Sequence, residues 1–271
     1  MTNPWIAALS ALFLWWFSTG IILWRVKHAD NDGRDAHLWS VILGLPLLMA
    51  GVGGIMATLN DASAYGAYVA FLSALAIWAW IELAFLSGII TGPNRAPCPA
   101  QSGQWDRFVR ACGTIAWHEL LLLATVVALA RISLGAENIF GLWTFVILFF
   151  ARISAKLNLF FGVPRIHTEF LPRPLAHLPS HFHHAPMNWV FPVSITALSF
   201  ASACWLERVW TATTDGQLVG FTLLAALTLL ALLEHWFMVL PLPDEKLWRW
   251  MMPAPRPVAA TTPTPATRHD Q

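Results

Sequence analysis

Long apolar runs separated by short polar segments dominate this chain. Seven runs stand out: Trp5–Trp24, Leu38–Leu59, Tyr65–Ile90, Cys112–Leu134, Ile139–Phe161, Asn188–Trp210 and Leu218–Leu240. Each has about the 20 residues that carry a helix across a hydrocarbon core. None alternates apolar and polar positions as a membrane-barrel strand does. The pattern predicts an all-α integral membrane bundle of seven transmembrane helices over residues 1–253. The glycines of the Gly51–Gly54 stretch fall inside the second run, where small residues let helices approach closely.

Composition fits this picture. Of 271 residues, 57% are hydrophobic and only 11% charged, about half the charge of a soluble domain. Mean hydropathy is +0.57. The net charge of +1 offers no basic surface for nucleic acid, so the expected partner is the lipid bilayer. Arg25, Lys27, Arg34, Arg95, Arg107, Arg110, Arg165, Arg173, Lys246, Arg249, Arg256 and Arg268 fall on one side of the predicted topology. The other side carries Arg131 and Arg208. The positive-inside rule then predicts a periplasmic N-terminus and a cytoplasmic C-terminus, and seven passes give the same parity. The first run has no charged n-region and no small-residue cleavage site, so it is expected to be retained. Cys98, Cys112 and Cys204 form no paired motif, which argues against a disulfide framework. Residues 254–271, rich in Pro and Thr, are expected to form a disordered cytoplasmic tail.

Sixteen tryptophans are present. Those at run ends, such as Trp5, Trp24, Trp39, Trp105, Trp210 and Trp248, read as an interfacial belt. Trp78, Trp80, Trp117 and Trp236 lie deeper, beside the intramembrane charges, and can serve helix packing or wall a flat ligand.

Those charges are the candidate chemistry. Glu82, His118, Glu119, Arg152, Lys156, Glu234 and His235 interrupt the apolar runs. Counting helix rise from the run ends places most of them about 9–12 Å below one membrane face. Ionisable groups at such depth usually face a bundle interior or a wet cavity. Three readings are open. Arg152 and Lys156 can neutralise two of the three glutamates in a structural ion-pair layer, giving a scaffold. Glu82, His118, Glu119, Glu234 and His235 can supply a divalent-metal site, as carboxylates and imidazoles do in di-metal bundles, and so a membrane metalloenzyme acting on a tetrapyrrole or another lipophilic substrate. The pairs His118-Glu119 and Glu234-His235 are adjacent, however, and adjacent helical residues point about 100° apart. Lastly, His118 or His235 can be the axial ligand of a tetrapyrrole such as bacteriochlorophyll or haem.

The segment between the fifth and sixth runs holds His167, Glu169, His177, His181, His183 and His184 among five prolines at 164, 172, 174, 179 and 186. The prolines forbid a long helix and favour a stiff segment lying on the membrane face. It reads either as a docking loop or as a soft metal site. Hydrolase, phosphate-loop and zincin signatures are absent; His118-Glu119 is followed by the leucine run that begins Leu120-Leu121-Leu122.

The run from Phe149 to Arg165, continued from Thr168 to His181, resembles the PuhE family of photosynthetic complex assembly proteins of purple phototrophic bacteria. Asn3-Pro-Trp, the stretch from Asp35 to Val41, Ala76-Ile-Trp, the stretch from Trp80 to Gly88, and Leu233-Glu-His-Trp are similar to the same family. The likeness covers roughly residues 3–253. It implies a multi-pass protein of the bacterial inner membrane that supports bacteriochlorophyll production and assembly of the reaction centre and core antenna. Partners of that kind would be reaction-centre or core-antenna subunits or bacteriochlorophyll biosynthetic proteins. The family brings no catalytic residue set, so the intramembrane layer is inferred from this sequence alone.

Overall fold

The computed structural model describes residues 2–33, 35–242 and 246–249. The expected disordered tail, residues 254–271, lies outside them. Among the described residues every regular element is helical: α1 (Pro4–Ala29), α2 (Ala36–Leu43), α3 (Leu45–Thr58), α4 (Ala64–Leu86), α5 (Gln104–Ile132), α6 (Phe140–Phe161), α7 (Val190–Trp210), α8 (Asp215–Phe237) and α9 (Lys246–Arg249). With α2 and α3 taken together, seven helices are long and apolar enough to cross a membrane.

Local chemistry sets the boundaries. Asn3 Oδ1 accepts the Trp5 N–H at 2.8 Å and Pro4 opens α1, a pairing that suits an N-terminus whose first amides lack partners. Ser63 Oγ caps α4 through the Gly66 N–H, and Thr214 Oγ1 caps α8 through the Gln217 N–H. The second apolar run is broken between α2 and α3. Pro46 has no N–H and its ring crowds the carbonyl four residues back, so the helix restarts at Leu45. α5 begins eight residues before the apolar run, because Asp106 and Arg110 pair one turn apart and extend the helix through a polar stretch.

α4 and α8 are the central helices, each 56% buried over its apolar window, against 17–28% for the others. One core cluster joins Ala7 and Ala11 of α1, Ala67, Ala70 and Phe71 of α4, Phe140 of α6 and Leu223 and Leu227 of α8. A second joins Ile55, Ile77, Ile81, Leu122, Phe145 and Phe149. Alanines and glycines recur at these crossings because helices in lipid associate by close packing rather than by escape from water. A Cβ at Gly51 would sit 2.8 Å from the Ser73 carbonyl, which places α3 directly against α4.

At one end of the bundle Asn138 ties α6 to the turn before α4, its N–H to Leu59 O at 2.9 Å and its Nδ2 to Asp61 O at 3.0 Å. The other end carries the Pro/His loop. That loop folds into short 3-10 turns at Thr168–Phe170, Arg173–Leu175 and Leu178–His181. Leu175 and Leu178 pack on Phe85. Gly88, at φ 73 just past α4, leaves room for Pro174, whose Cβ stands 2.5 Å from where a side chain would begin.

Candidate functional site

The seven intramembrane residues fall into three tethers and one buried network. Arg152 of α6 donates to Glu82 Oε2 of α4 at 2.9 Å. Lys156, one turn further along α6, donates to Glu119 Oε1 of α5. Glu234 Oε1 of α8 accepts the Trp15 indole N–H of α1 at 3.0 Å. His118 is fully buried beside Glu82, with Nε2 3.6 Å from Oε1 and its ring against Phe85 at 4.3 Å between centroids. The residues meet in pairs, and their distances from the helix ends differ: Glu82 lies one turn from the end of α4, Arg152 more than two turns from the end of α6.

His235 belongs to the network. Its Nδ1 meets Ala231 O at 2.8 Å within the helix, which makes Nδ1 the donor and Nε2 the acceptor for the Ser154 hydroxyl at 2.8 Å. Asn158 Nδ2 donates to Ser194 Oγ at 2.9 Å, and Asn188 Nδ2 donates to Asn158 Oδ1 at 3.1 Å and to Gly162 O at 2.7 Å. Sequence reasoning passed over Ser154, Asn158, Asn188 and Ser194; the signal was an asparagine near the end of an apolar run. Asn188 Oδ1 also receives the first amides of α7, Val190 N–H at 2.8 Å and Phe191 N–H at 3.1 Å. Asn188→Ala removes both roles and should cost about 1–2 kcal/mol, seen as a lower unfolding midpoint of the purified protein in detergent.

The five proposed metal ligands do not converge. Glu82 and His118 form one pair, Glu119 joins Lys156, Glu234 joins Trp15 and His235 joins Ser154. Among the described residues no three of His, Cys, Asp or Glu gather as a metal-holding group. The deep tryptophans pack or bond: Trp78 meets Phe145 edge-on, Trp80 Nε1 donates to Val41 O at 3.1 Å and Trp236 meets Phe191 edge-on, whereas Trp117 is exposed on the outer surface.

All three tethers contribute to the wall of a cavity of about 670 Å³. Glu119, Arg152, Lys156 and Glu234 line it together with Trp15, apolar residues of α5, α6 and α8, and the roof formed by Ile166, Leu171, Leu178 and Phe182 of the loop. Its size falls within the range of small-molecule sites, and its apolar walls with a few polar groups match their usual make-up.

The loop candidates separate. His167 faces the cavity and lies 3.5 Å from Glu169, which is exposed. His181 is buried, with Nε2 3.4 Å from Ala96 O, and it too lines the cavity. His183 and His184 are exposed. Loss of water holds the His181 ring below the ordinary histidine value, against the Ala96 carbonyl and with help from Arg107 and Arg110. Burial, His181 and Arg95 do the same to His177. The docked loop thus favours neutral rings, and protonation favours release. Docking should be complete above the histidine range and weaken as pH falls below about 6.5. Amide exchange over residues 166–184, measured one unit either side of that value, checks this; equal protection would refute it.

A family model described as a protein of unknown function (DUF3623) matches residues 1–259. The chain belongs to this family. A Rhodobacter capsulatus relative is 58% identical over 265 residues, covering 98% of this chain and 97% of the relative. That relative is described as an uncharacterised 30.4 kDa protein in the puhA 5' region. Its description agrees with the puh-region likeness read from the sequence. No solved structure matches the chain.

Proposed function

We propose that this DUF3623 protein is an accessory protein of the bacterial inner membrane that supports bacteriochlorophyll production and assembly of the reaction centre and core antenna. The observation that carries the reading is the cavity with its tethers. It gives a membrane-spanning bundle a place to engage a lipophilic small molecule beside groups that can orient it. The likeness of the Phe149–Arg165 stretch to the PuhE family and the puhA neighbourhood of the relative support the photosynthetic setting. Reaction-centre subunits, core-antenna subunits and pigment-synthesis proteins are the partners this role calls for. Deleting the gene should alter bacteriochlorophyll per cell and the yield of reaction-centre complex, and the native gene should restore both. Unchanged pigment and complex in the deletion strain would refute the role.

A scaffold is the second reading, favoured by the direct Glu82–Arg152 and Glu119–Lys156 pairs. Well-folded Glu119→Gln protein that fails to restore pigment would speak against it.

In our reading the loop-bearing end faces the cytoplasm, on the strength of the arginine and lysine bias. Single cysteines at Asp61 and Asp215, in a background without native cysteines, should react with an impermeant thiol reagent added to intact cells. One at Gln101 should not, and labelling there would reverse the orientation.

A further inference from the structure

Arg152 and Glu234, two groups on the cavity wall, keep unused hydrogen-bonding capacity. Arg152 gives one N–H to Glu82, and its Nε is buried without a partner. A guanidinium has five N–H donors, so most of the fork is unclaimed. Glu234 accepts from Trp15 and forms no ion pair among the described residues. Arg152 bonds to Glu82 and Glu234 to Trp15, so the two do not come together. Of the other charges on the wall, Glu119 and Lys156 pair with each other and Arg165 donates to Leu242 O at 2.7 Å; Glu82, the partner of Arg152, is not part of the wall.

This arrangement selects by charge. An anionic ligand is attracted to Arg152 but repelled by Glu234, and a cationic ligand meets the reverse. A neutral ligand that offers an acceptor at one point and a donor at another satisfies both groups, and unsatisfied polar groups are what buried sites discriminate by. Around them the wall is aromatic and apolar, with Trp15, Phe85, Phe108, Phe149, Phe160 and Phe237.

We propose that the cavity binds a neutral, lipid-soluble hydroxylated ring compound, a phenol or hydroquinone with an apolar tail. One ring oxygen accepts from Arg152 and a hydroxyl donates to Glu234. The proposal rests on the cavity being a ligand site, as in the function above, and names the class of that ligand. It carries a preference between redox forms. A hydroquinone brings a donor to Glu234, whereas the matching quinone turns a second carbonyl toward a carboxylate.

The test is calorimetric titration of the full chain in detergent with a decyl-substituted benzohydroquinone and its quinone, both kept anoxic. The hydroquinone should bind about tenfold or more tightly than the quinone. Glu234→Gln keeps the size and the acceptor for Trp15, and its amide also donates to a carbonyl, so the preference should collapse toward unity. Arg152→Lys keeps a charge beside Glu82 but loses the fork, and should weaken both forms. The native protein binding the two forms equally overturns the proposal. So does an unchanged preference in Glu234→Gln, or tighter binding of oleate or of phosphatidylethanolamine. Should Glu234→Gln fail to accumulate, undiminished binding by Arg152→Lys still refutes it. Hydroquinone binding as expected in a protein whose deletion leaves pigment unchanged would refute the photosynthetic role and leave this inference standing. A pigment defect without hydroquinone binding would do the opposite.

Discussion

Arg152→Gln should destabilise the protein by about 3–5 kcal/mol, the usual penalty for orphaning one member of a buried ion pair. Glu82 is buried, and without Arg152 the basic group left in direct contact among the described residues is His118 at 3.6 Å. The reverse change should be milder. Glu82→Gln leaves a guanidinium whose side chain is 37% exposed and borders the cavity, where water can reach it. Combining the two changes removes both charges and should recover most of the loss. Unfolding in detergent, together with the amount of protein in the membrane, reads all three variants. Native-like stability of Arg152→Gln would mean that the pair does not hold α4 to α6.

Gly92→Ala should cost about 1–3 kcal/mol or more through overpacking. A Cβ there would stand 2.1 Å from Gly113 O, 2.7 Å from the Thr114 carbonyl carbon and 2.8 Å from Ile115 N. All three are backbone atoms, so no side chain can swing aside. The next residue back, Thr91, accepts the His118 N–H at 3.0 Å through its carbonyl, so a displaced loop also disturbs the middle of α5 at His118. Gly53→Ala is the control: its Cβ meets nothing, and inside α3 the change should stabilise by up to about 1 kcal/mol through helix propensity. Equal unfolding midpoints for the two variants would rule out the close approach at Gly92 as a source of stability.

Hydropathy alone made the seven spanning helices legible, because in lipid the backbone must satisfy itself and apolar length is the dominant signal. It misjudged the start of α5 and the break before Pro46, since both depend on local hydrogen bonding rather than on polarity. Charge counting found the residues that meet, Glu82 with Arg152 and Glu119 with Lys156. It did not show how they divide. Period and spacing place a residue on a helix, whereas the rotation of each helix about its axis comes from packing. For that reason His235 turned toward Ser154 and Asn158 rather than toward Glu82. The Trp15–Glu234 contact joins positions 219 residues apart, and no local pattern encodes such a pairing.

The Pro/His loop is fastened largely through its own main chain. Lys27 donates to Leu171 O at 2.7 Å, Arg107 to His181 O at 3.2 Å, and the Arg173 N–H reaches Asp30 Oδ1 at 3.0 Å. The side chains that make these seams belong to helices α1 and α5 and the turn that follows α1. On the loop's own side the requirement is a carbonyl or an amide, which every residue but proline provides in full. Sequence drift can therefore change Leu171 or Arg173 without opening these hydrogen-bonded seams, while Lys27, Asp30 and Arg107 are bound to their identities. The roof of the cavity is thereby free to diversify in chemistry while staying in place.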